Sequence, residues 1–187
     1  MTTVLWLLTV QGAIGAFDTL YYHEYRARLP ARAASAASEL TLHAIRDFVY
    51  AIIFATIPWL TFGGVWVVPL SILLAMEIVI TMTDFVVEKH VRKPLGDVYP
   101  GERVTHAIMA IIYGAMLANL LPVLGGWWSM PSTIVFASSE WTILRVLLSL
   151  MAVGVFTAGV RDLYAAGGFR NEGWPWRRDV DLTPKLH

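Results

Sequence analysis

The chain has 187 residues, of which 57% are hydrophobic and 15% are charged. Soluble domains average about 45–50% apolar and about 25% charged residues, so the composition excludes an ordinary soluble domain. The fourteen basic residues balance the fourteen acidic ones, which leaves no net positive charge to hold a nucleic acid, and the absence of cysteine excludes disulfides, cysteine-bound metal centres and thiol catalysis.

Five mostly apolar stretches are each long enough to cross the hydrocarbon layer of a membrane, which takes about 20 residues. In chain order they cover roughly residues 2–22, 42–62, 65–87, 104–124 and 141–163. The first stretch lacks the basic start of a signal peptide and is interrupted by Asp18, so we interpret it as a helix of the protein. The sequence predicts an all-α integral membrane protein with five transmembrane helices within residues 1–166 and a tail at 167–187.

The lysine and arginine residues are distributed very unevenly between the two sides of this predicted bundle. Thirteen of the fourteen fall near the connection after the first helix, near the connection after the third helix, or in the tail, and only Arg145 lies near the other side. Connections that stay in the cytoplasm are rich in basic residues. We therefore expect the N-terminus outside and the C-terminus in the cytoplasm, in the inner membrane of a bacterium.

Ionisable side chains within membrane helices are costly and indicate a functional site. Nine acidic and histidine residues gather toward the cytoplasmic end of the first four helices, and they are our candidate metal ligands: Asp18, His23, Glu24, Glu39, His43, Asp84, Glu88, Glu102 and His106. His23 follows Asp18 by five residues and points away from it on an ideal α-helix. It can join the site only if the first helix frays or turns there.

The chain also repeats itself. Residues 39–51, ELTLHAIRDFVYA, align with residues 102–114, ERVTHAIMAIIYG, and both segments keep a glutamate, a histidine four residues later and a tyrosine eleven residues later. A glutamate and a histidine four residues apart share one helix face. The preceding helix ends match in either of two registers, which pair Asp18 with Asp84 or Glu24 with Glu88. We predict two copies of one helical hairpin, at about 1–62 and 65–124.

The order of these residues resembles the ligand pattern of the ferritin-like di-iron and di-manganese carboxylate four-helix bundles. In those proteins two helices give one glutamate each and two others give Glu-x-x-His. The corresponding residues here are Glu24, Glu39-x3-His43, Glu88 and Glu102-x3-His106, with one more residue between glutamate and histidine. Taken as a whole, the chain looks like bacterial integral membrane proteins of similar length, a likeness that implies no activity.

The ferritin-like resemblance implies two divalent metal ions, with iron preferred and manganese or zinc as alternatives. It further implies an oxygen-dependent oxidoreductase, and the location favours a lipid-soluble substrate that arrives through the bilayer. Tyr50 and Tyr113 are candidate relays for an electron or a proton, and Arg46 and Arg103 are expected to orient the carboxylates.

Other functions remain open at this point. Zinc at the same residues would favour a membrane hydrolase, and His43 with His106 would serve as axial ligands of a b-type haem. A transporter for divalent metals or protons would use the acidic cluster as a transit site, with Glu77 and Gln11 deeper in the membrane. A non-catalytic scaffold, alone or as part of an oligomer, would use the same residues for salt bridges and helix ends.

Overall fold

The computed structural model describes residues 1–137 and 142–169, and this part of the chain is mostly helical. Its α-helices are α1 (Thr2–Phe17), α2 (Ala33–Thr56), α3 (Val67–Arg92), α4 (Pro100–Trp128) and α5 (Thr142–Ala166). A π-helix, Asp18–Ala27, continues α1, and short 3₁₀ turns occur at Leu29–Arg32, Gly64–Trp66 and Lys93–Leu95. Two three-residue strands, β1 (Leu60–Phe62) and β2 (Ile134–Phe136), pair antiparallel between the connections that follow α2 and α4.

Four helical segments are long and apolar enough to cross a membrane: Thr2–Ala27, Gly64–Leu95, Pro100–Trp128 and Thr142–Ala166. The prediction of an all-α protein is therefore confirmed, and these four helices are consistent with a membrane protein. Helix α2 is not among them, because Glu39, Arg46 and Asp47 place three charged residues within its length. Most of the predicted tail, residues 170–187, lies outside the described residues.

The helices form a closed ring in the order α1, α4, α3, α2 and α5. Helix α2 packs extensively on α5 and also on α3, and α1 packs on α4 and α5, whereas the backbones of α3 and α4 come close at only a few points. Gly159 allows the close approach of α5 to α2, since a Cβ atom there would lie 3.0 Å from the Asp47 Cβ and 3.1 Å from the Ala44 carbonyl oxygen. Helix α5 thus separates α1 from α2 and belongs to the wall of the bundle.

The two ends of the ring differ in chemistry. The end nearest the β-strands is filled by an apolar core that includes Leu8, Ile53, Leu120 and Leu148. The opposite end, where α1 leads into α2 and α3 leads into α4, encloses buried charged residues. Large apolar side chains cover the outside of α3, α4 and α5, as expected for helices that contact lipid.

Candidate metal centre

The π-helix brings together the first two predicted ligands, Asp18 and His23. A π-helix bonds each N–H to the carbonyl five residues earlier, so residues five apart lie one turn above each other. The expectation that His23 joins the site only where the helix departs from α geometry is met in this way. The His23 Nε2 atom lies 3.3 Å from Asp18 Oδ2, and both side chains are buried.

Asp18, His23 and His106 form a group that could hold a metal ion, with one ligand atom from each residue within 4.8 Å of the others. The His106 Nε2 atom lies 3.1 Å from Asp18 Oδ2, and the other ring nitrogen lies 3.6 Å from Glu88 Oε2. Carboxylate oxygen and imidazole nitrogen are the donors that iron, manganese and zinc accept. The residues present therefore fit a divalent metal at this point, on the π-helix and α4.

A second set of donors lies beside the first, on α2 and α3. The His43 Nε2 atom is 3.4 Å from Asp84 Oδ2 and 3.9 Å from Glu39 Oε1. The rings of His43 and His23 stack, with their centroids 4.4 Å apart, so the two sets are direct neighbours. The register of the internal repeat that pairs Asp18 with Asp84 makes the Asp84–His43 contact equivalent to the Asp18–His106 contact.

Arg92 connects the two halves. Its Nε atom donates to Glu39 Oε1 at 2.7 Å, and its Nη2 atom donates to Glu102 Oε1 at 2.8 Å. The arginine is 1% exposed and both glutamates are fully buried. One oxygen of each glutamate is thereby occupied by the guanidinium group, and the other oxygen, Oε2, has no hydrogen-bond partner.

Two further arginines hold carboxylates at the edge of the site. Arg46 donates to Asp84 Oδ2 at 2.9 Å, as expected from the sequence. Arg161 of α5 pairs with Glu24 through both of its terminal nitrogens, and the neighbouring Asp162 lies 3.9 Å from His43 Nδ1. Helix α5 therefore contributes to the site as well as to the wall.

The expected role of Arg103 is wrong. Its guanidinium group is exposed and donates to Asp97 Oδ1 at 2.9 Å, in the connection between α3 and α4. The backbone N–H of Val98, and then Arg103, lower the pKa of the Asp97 carboxyl group. The adjacent residue, Glu102, contacts the buried site instead, as does His106 one turn further along α4.

We call the connected charged and imidazole groups the polar cluster. It contains all nine predicted ligands together with Asp162, Arg46, Arg92 and Arg161. Seven carboxyl groups thus meet three guanidinium groups, so ionisation of all seven leaves four negative charges uncompensated while the three histidines are neutral. Such a buried excess is unfavourable in a low-dielectric interior unless protons or cations neutralise it.

Several buried ligand atoms of the cluster make no hydrogen bond. They are Asp18 Oδ1, His23 Nε2, Glu39 Oε2, both ring nitrogens of His43, Asp84 Oδ1, Glu88 Oε2 and Glu102 Oε2. The great majority of buried polar atoms in proteins are hydrogen-bonded, so each unpaired atom needs an explanation. Several pairs of these groups, such as His23 Nε2 and Asp18 Oδ2, have atoms 3.3–3.9 Å apart with no hydrogen bond between them. Ligand atoms that share one metal ion have a similar spacing.

The two predicted relay tyrosines lie outside the polar cluster. Tyr50 donates to Glu77 Oε1 at 2.9 Å and accepts from Gln11 Nε2 at 3.0 Å, whereas Tyr113 donates to the Leu74 carbonyl oxygen at 2.9 Å. Tyr50 is seven residues beyond His43, which corresponds to about 10 Å along the helix. Within residues 1–137 and 142–169, the hydrogen bonds of these two tyrosines do not reach a predicted ligand.

Sequence reasoning missed Arg92. It stands between Lys89 and Lys93 at the end of an apolar helix, where a basic residue is typical of a cytoplasmic connection. The one available signal is helical spacing, because Arg92 follows Glu88 by four residues and Asp84 by eight and so lies on the acidic face of α3.

Comparisons with protein-family models, with curated proteins and with solved structures find no match to this chain. The resemblance to ferritin-like bundles is therefore confined to the order of the ligand residues.

Proposed function

We propose that this chain is a membrane-embedded metalloprotein with a dinuclear metal centre, most readily of iron, that carries out oxygen-dependent oxidation of a lipid-soluble substrate. The observation that carries the proposal is the set of unpaired ligand atoms around three buried histidines. Two divalent cations would also balance the four negative charges that the arginines leave uncompensated.

The geometry favours one metal in each half of the polar cluster. Asp18, His23 and His106 would hold the first ion, assisted by Glu88. His43, Asp84 and Glu39 would hold the second, and Glu102 lies near both halves through His23 and Arg92. The contacts Asp18–His106 and Asp84–His43 support the hairpin repeat, with α5 inserted between the two helices of its first copy.

Bound iron would supply the capacity to activate dioxygen, which no side chain of this chain possesses. The protein's own residues hold and orient the ligands. Arg92 keeps Glu39 and Glu102 facing inward by binding one oxygen of each, and Arg46 does the same for Asp84. The surrounding helices exclude water from the centre, because every predicted ligand is buried.

We further propose that α2 crosses the membrane with the other four helices and that the polar cluster lies toward the cytoplasmic side. Supporting this, α2 is packed between α3 and α5, and both of these are long and apolar enough to span. The polar half of α2 faces the buried cluster, so its charges are removed from lipid.

The test is elemental analysis of the detergent-purified protein and of matched variants. We expect about two iron or manganese ions per chain, the count typical of carboxylate bundles. The double variant Glu39→Ala/Glu102→Ala and the single variant His106→Ala should lose most of this metal. His90→Ala is the matched control, since His90 is exposed and bonds only the Val86 carbonyl oxygen of its own helix.

If the elemental analysis finds two zinc ions per chain, the proposed reaction becomes hydrolysis instead of oxidation. A protein that binds no metal after reconstitution with iron, manganese and zinc would contradict the proposal, as would equal metal content in the His106→Ala and His90→Ala variants.

A further inference from the structure

A cavity of about 500 Å³ lies in the middle of the helix ring, next to the polar cluster. All five helices line it, and most of its wall is apolar, including Phe54, Phe85, Met109 and Met151. At one end it reaches Asp18, Arg46 and His106 of the polar cluster. A site of this size, mostly apolar with a few polar groups, is typical of those that bind small organic molecules.

The end of the cavity away from the metal ligands carries a second, smaller polar group. Gln11 donates to Tyr50, and the hydroxyl groups of Tyr50 and Thr81 both donate to Glu77 Oε1 at 2.9 Å. These donations leave Gln11 Oε1 as a buried acceptor with no partner, on a side chain that is only 7% exposed. An unpaired buried acceptor costs free energy, and a donor from whatever occupies the cavity would remove that cost.

The cavity is accessible from the side of the bundle. Side chains join α3 and α4 at Arg92–Glu102, Glu88–His106 and Leu74–Tyr113, but the two backbones come close at only a few points, which leaves a gap between these contacts. Each helix contributes residues that line the cavity and are exposed: Ile78 and Met82 on α3, Ala110 and Gly114 on α4. Met82 is 59% exposed. In a membrane this gap faces lipid, so the route into the cavity is apolar throughout.

We propose that the cavity binds a neutral, membrane-soluble alcohol or phenol that enters between α3 and α4 and donates its hydroxyl hydrogen to Gln11 Oε1. Its apolar body lies along Phe85 and Met109, and its other end lies beside Asp18 and His106. A charged amine is disfavoured as the donor, because it would have to lose its hydration within the bilayer. That this molecule is the substrate rests on the proposed function, whereas its binding does not require the metals.

Photocrosslinking with a matched pair of probes tests the inference on the full-length protein in lipid nanodiscs. One probe is a long-chain primary alcohol with a diazirine midway along its chain, and the other is the corresponding alkane diazirine. One hydrogen bond is worth about 0.5–1.5 kcal/mol, so we expect the alcohol to label cavity residues such as Met82 and Met109 about 2- to 10-fold more than the alkane does. Gln11→Leu should abolish that difference.

A pair of glycine variants tests the route of entry. Gly114 and Gly125 both lie on α4 and both have open space where a Cβ atom would be, but only Gly114 lines the cavity. Gly114→Phe should reduce labelling of the cavity by the alcohol at least about 20-fold, which exceeds the loss of one hydrogen bond, and Gly125→Phe should leave it unchanged.

Equal labelling by the two probes, or equal labelling of the two phenylalanine variants, would overturn the inference. Because metal content is measured on the same samples, failure of the cavity inference can be distinguished from failure of the proposed dinuclear centre. Loss of alcohol selectivity with two metals still bound overturns only the cavity inference. Alcohol selectivity in a protein that never takes up metal overturns only the dinuclear centre.

Discussion

The polar cluster consists of residues that are energetically unfavourable within membrane helices, so they stand out from the apolar residues around them in the sequence. Buried acids and histidines are rare enough within apolar helices that all nine predicted ligands could be found from composition and helical spacing, and the structure brings all nine into one connected group. Arg92 could not be found in this way, since an arginine at a helix end is ordinary. Its partners Glu39 and Glu102 come from α2 and α4, and only the folded chain brings them to one guanidinium group.

Replacing Arg92 tests how strongly the site depends on it. Arg92→Met leaves two buried glutamates without their counter-charge, and breaking a buried pair in this way costs about 3–5 kcal/mol. We expect a clearly lower unfolding midpoint for this variant in the metal-free, detergent-solubilised protein, and partial recovery in Arg92→Lys. Arg103→Met is the control, because Arg103 makes an equally short but exposed salt bridge. Indistinguishable melting of the two methionine variants would contradict this role for Arg92.

At the scale of helices, the sequence predicts where apolar segments lie but not how they wind or pack. Hydrophobic period and length reveal α1, α3, α4 and α5. The π-helical turn at Asp18–Ala27 has no local sequence signal, and only the five-residue spacing of Asp18 and His23 indicated that the helix had to change there. The sequence also does not predict the position of α5, because the close approach of α5 to α2 depends on one small residue, Gly159, which faces Ala44 and Asp47.

Enlarging Gly159 should weaken the packing of α5 on α2. In Gly159→Leu the new side chain meets the Ala44 carbonyl oxygen and the Phe48 ring at about van der Waals contact or closer, and overpacking of this kind costs about 1–3 kcal/mol. The thermal unfolding midpoint should fall, and metal uptake should fall with it, since Asp162 and Arg161 are carried by the same helix. Gly154→Leu is the matched control on α5, because nothing lies within 4 Å of a Cβ atom there. Equal stability of the two leucine variants would show that the close approach at Gly159 is unimportant.

At the scale of the whole molecule, the ring of helices separates an apolar half from a polar half. The apolar core continues from the cavity to the β-strands, and the polar groups that line the cavity end at Gln11, Tyr50 and Glu77 among the residues described. This arrangement favours a reaction at a buried centre over transfer of ions across the membrane. The uneven distribution of basic residues predicts which half faces the cytoplasm. Hydropathy alone does not identify α2 as a helix that can span the membrane, because its charged side chains find their partners only within the fold.

Cysteine labelling can test the proposed topology directly, because the natural chain has no cysteine. Ser35 and Val65 are both exposed and lie near opposite ends of α2. In intact cells a membrane-impermeant thiol reagent should label Val65→Cys and should label Ser35→Cys only after the cells are broken. Labelling of both variants, or of neither, in intact cells would show that α2 does not cross the membrane.

The most direct test of the dinuclear centre is X-ray absorption at the K-edge of the metal in the reconstituted protein. We predict nitrogen and oxygen neighbours from histidine and carboxylate, together with a second metal at about 3.5–4 Å, the separation usual in two-metal sites. The metal–metal signal should disappear in His106→Ala and persist in His90→Ala. A bound metal with only light-atom neighbours at this distance in the unsubstituted protein would contradict a dinuclear centre.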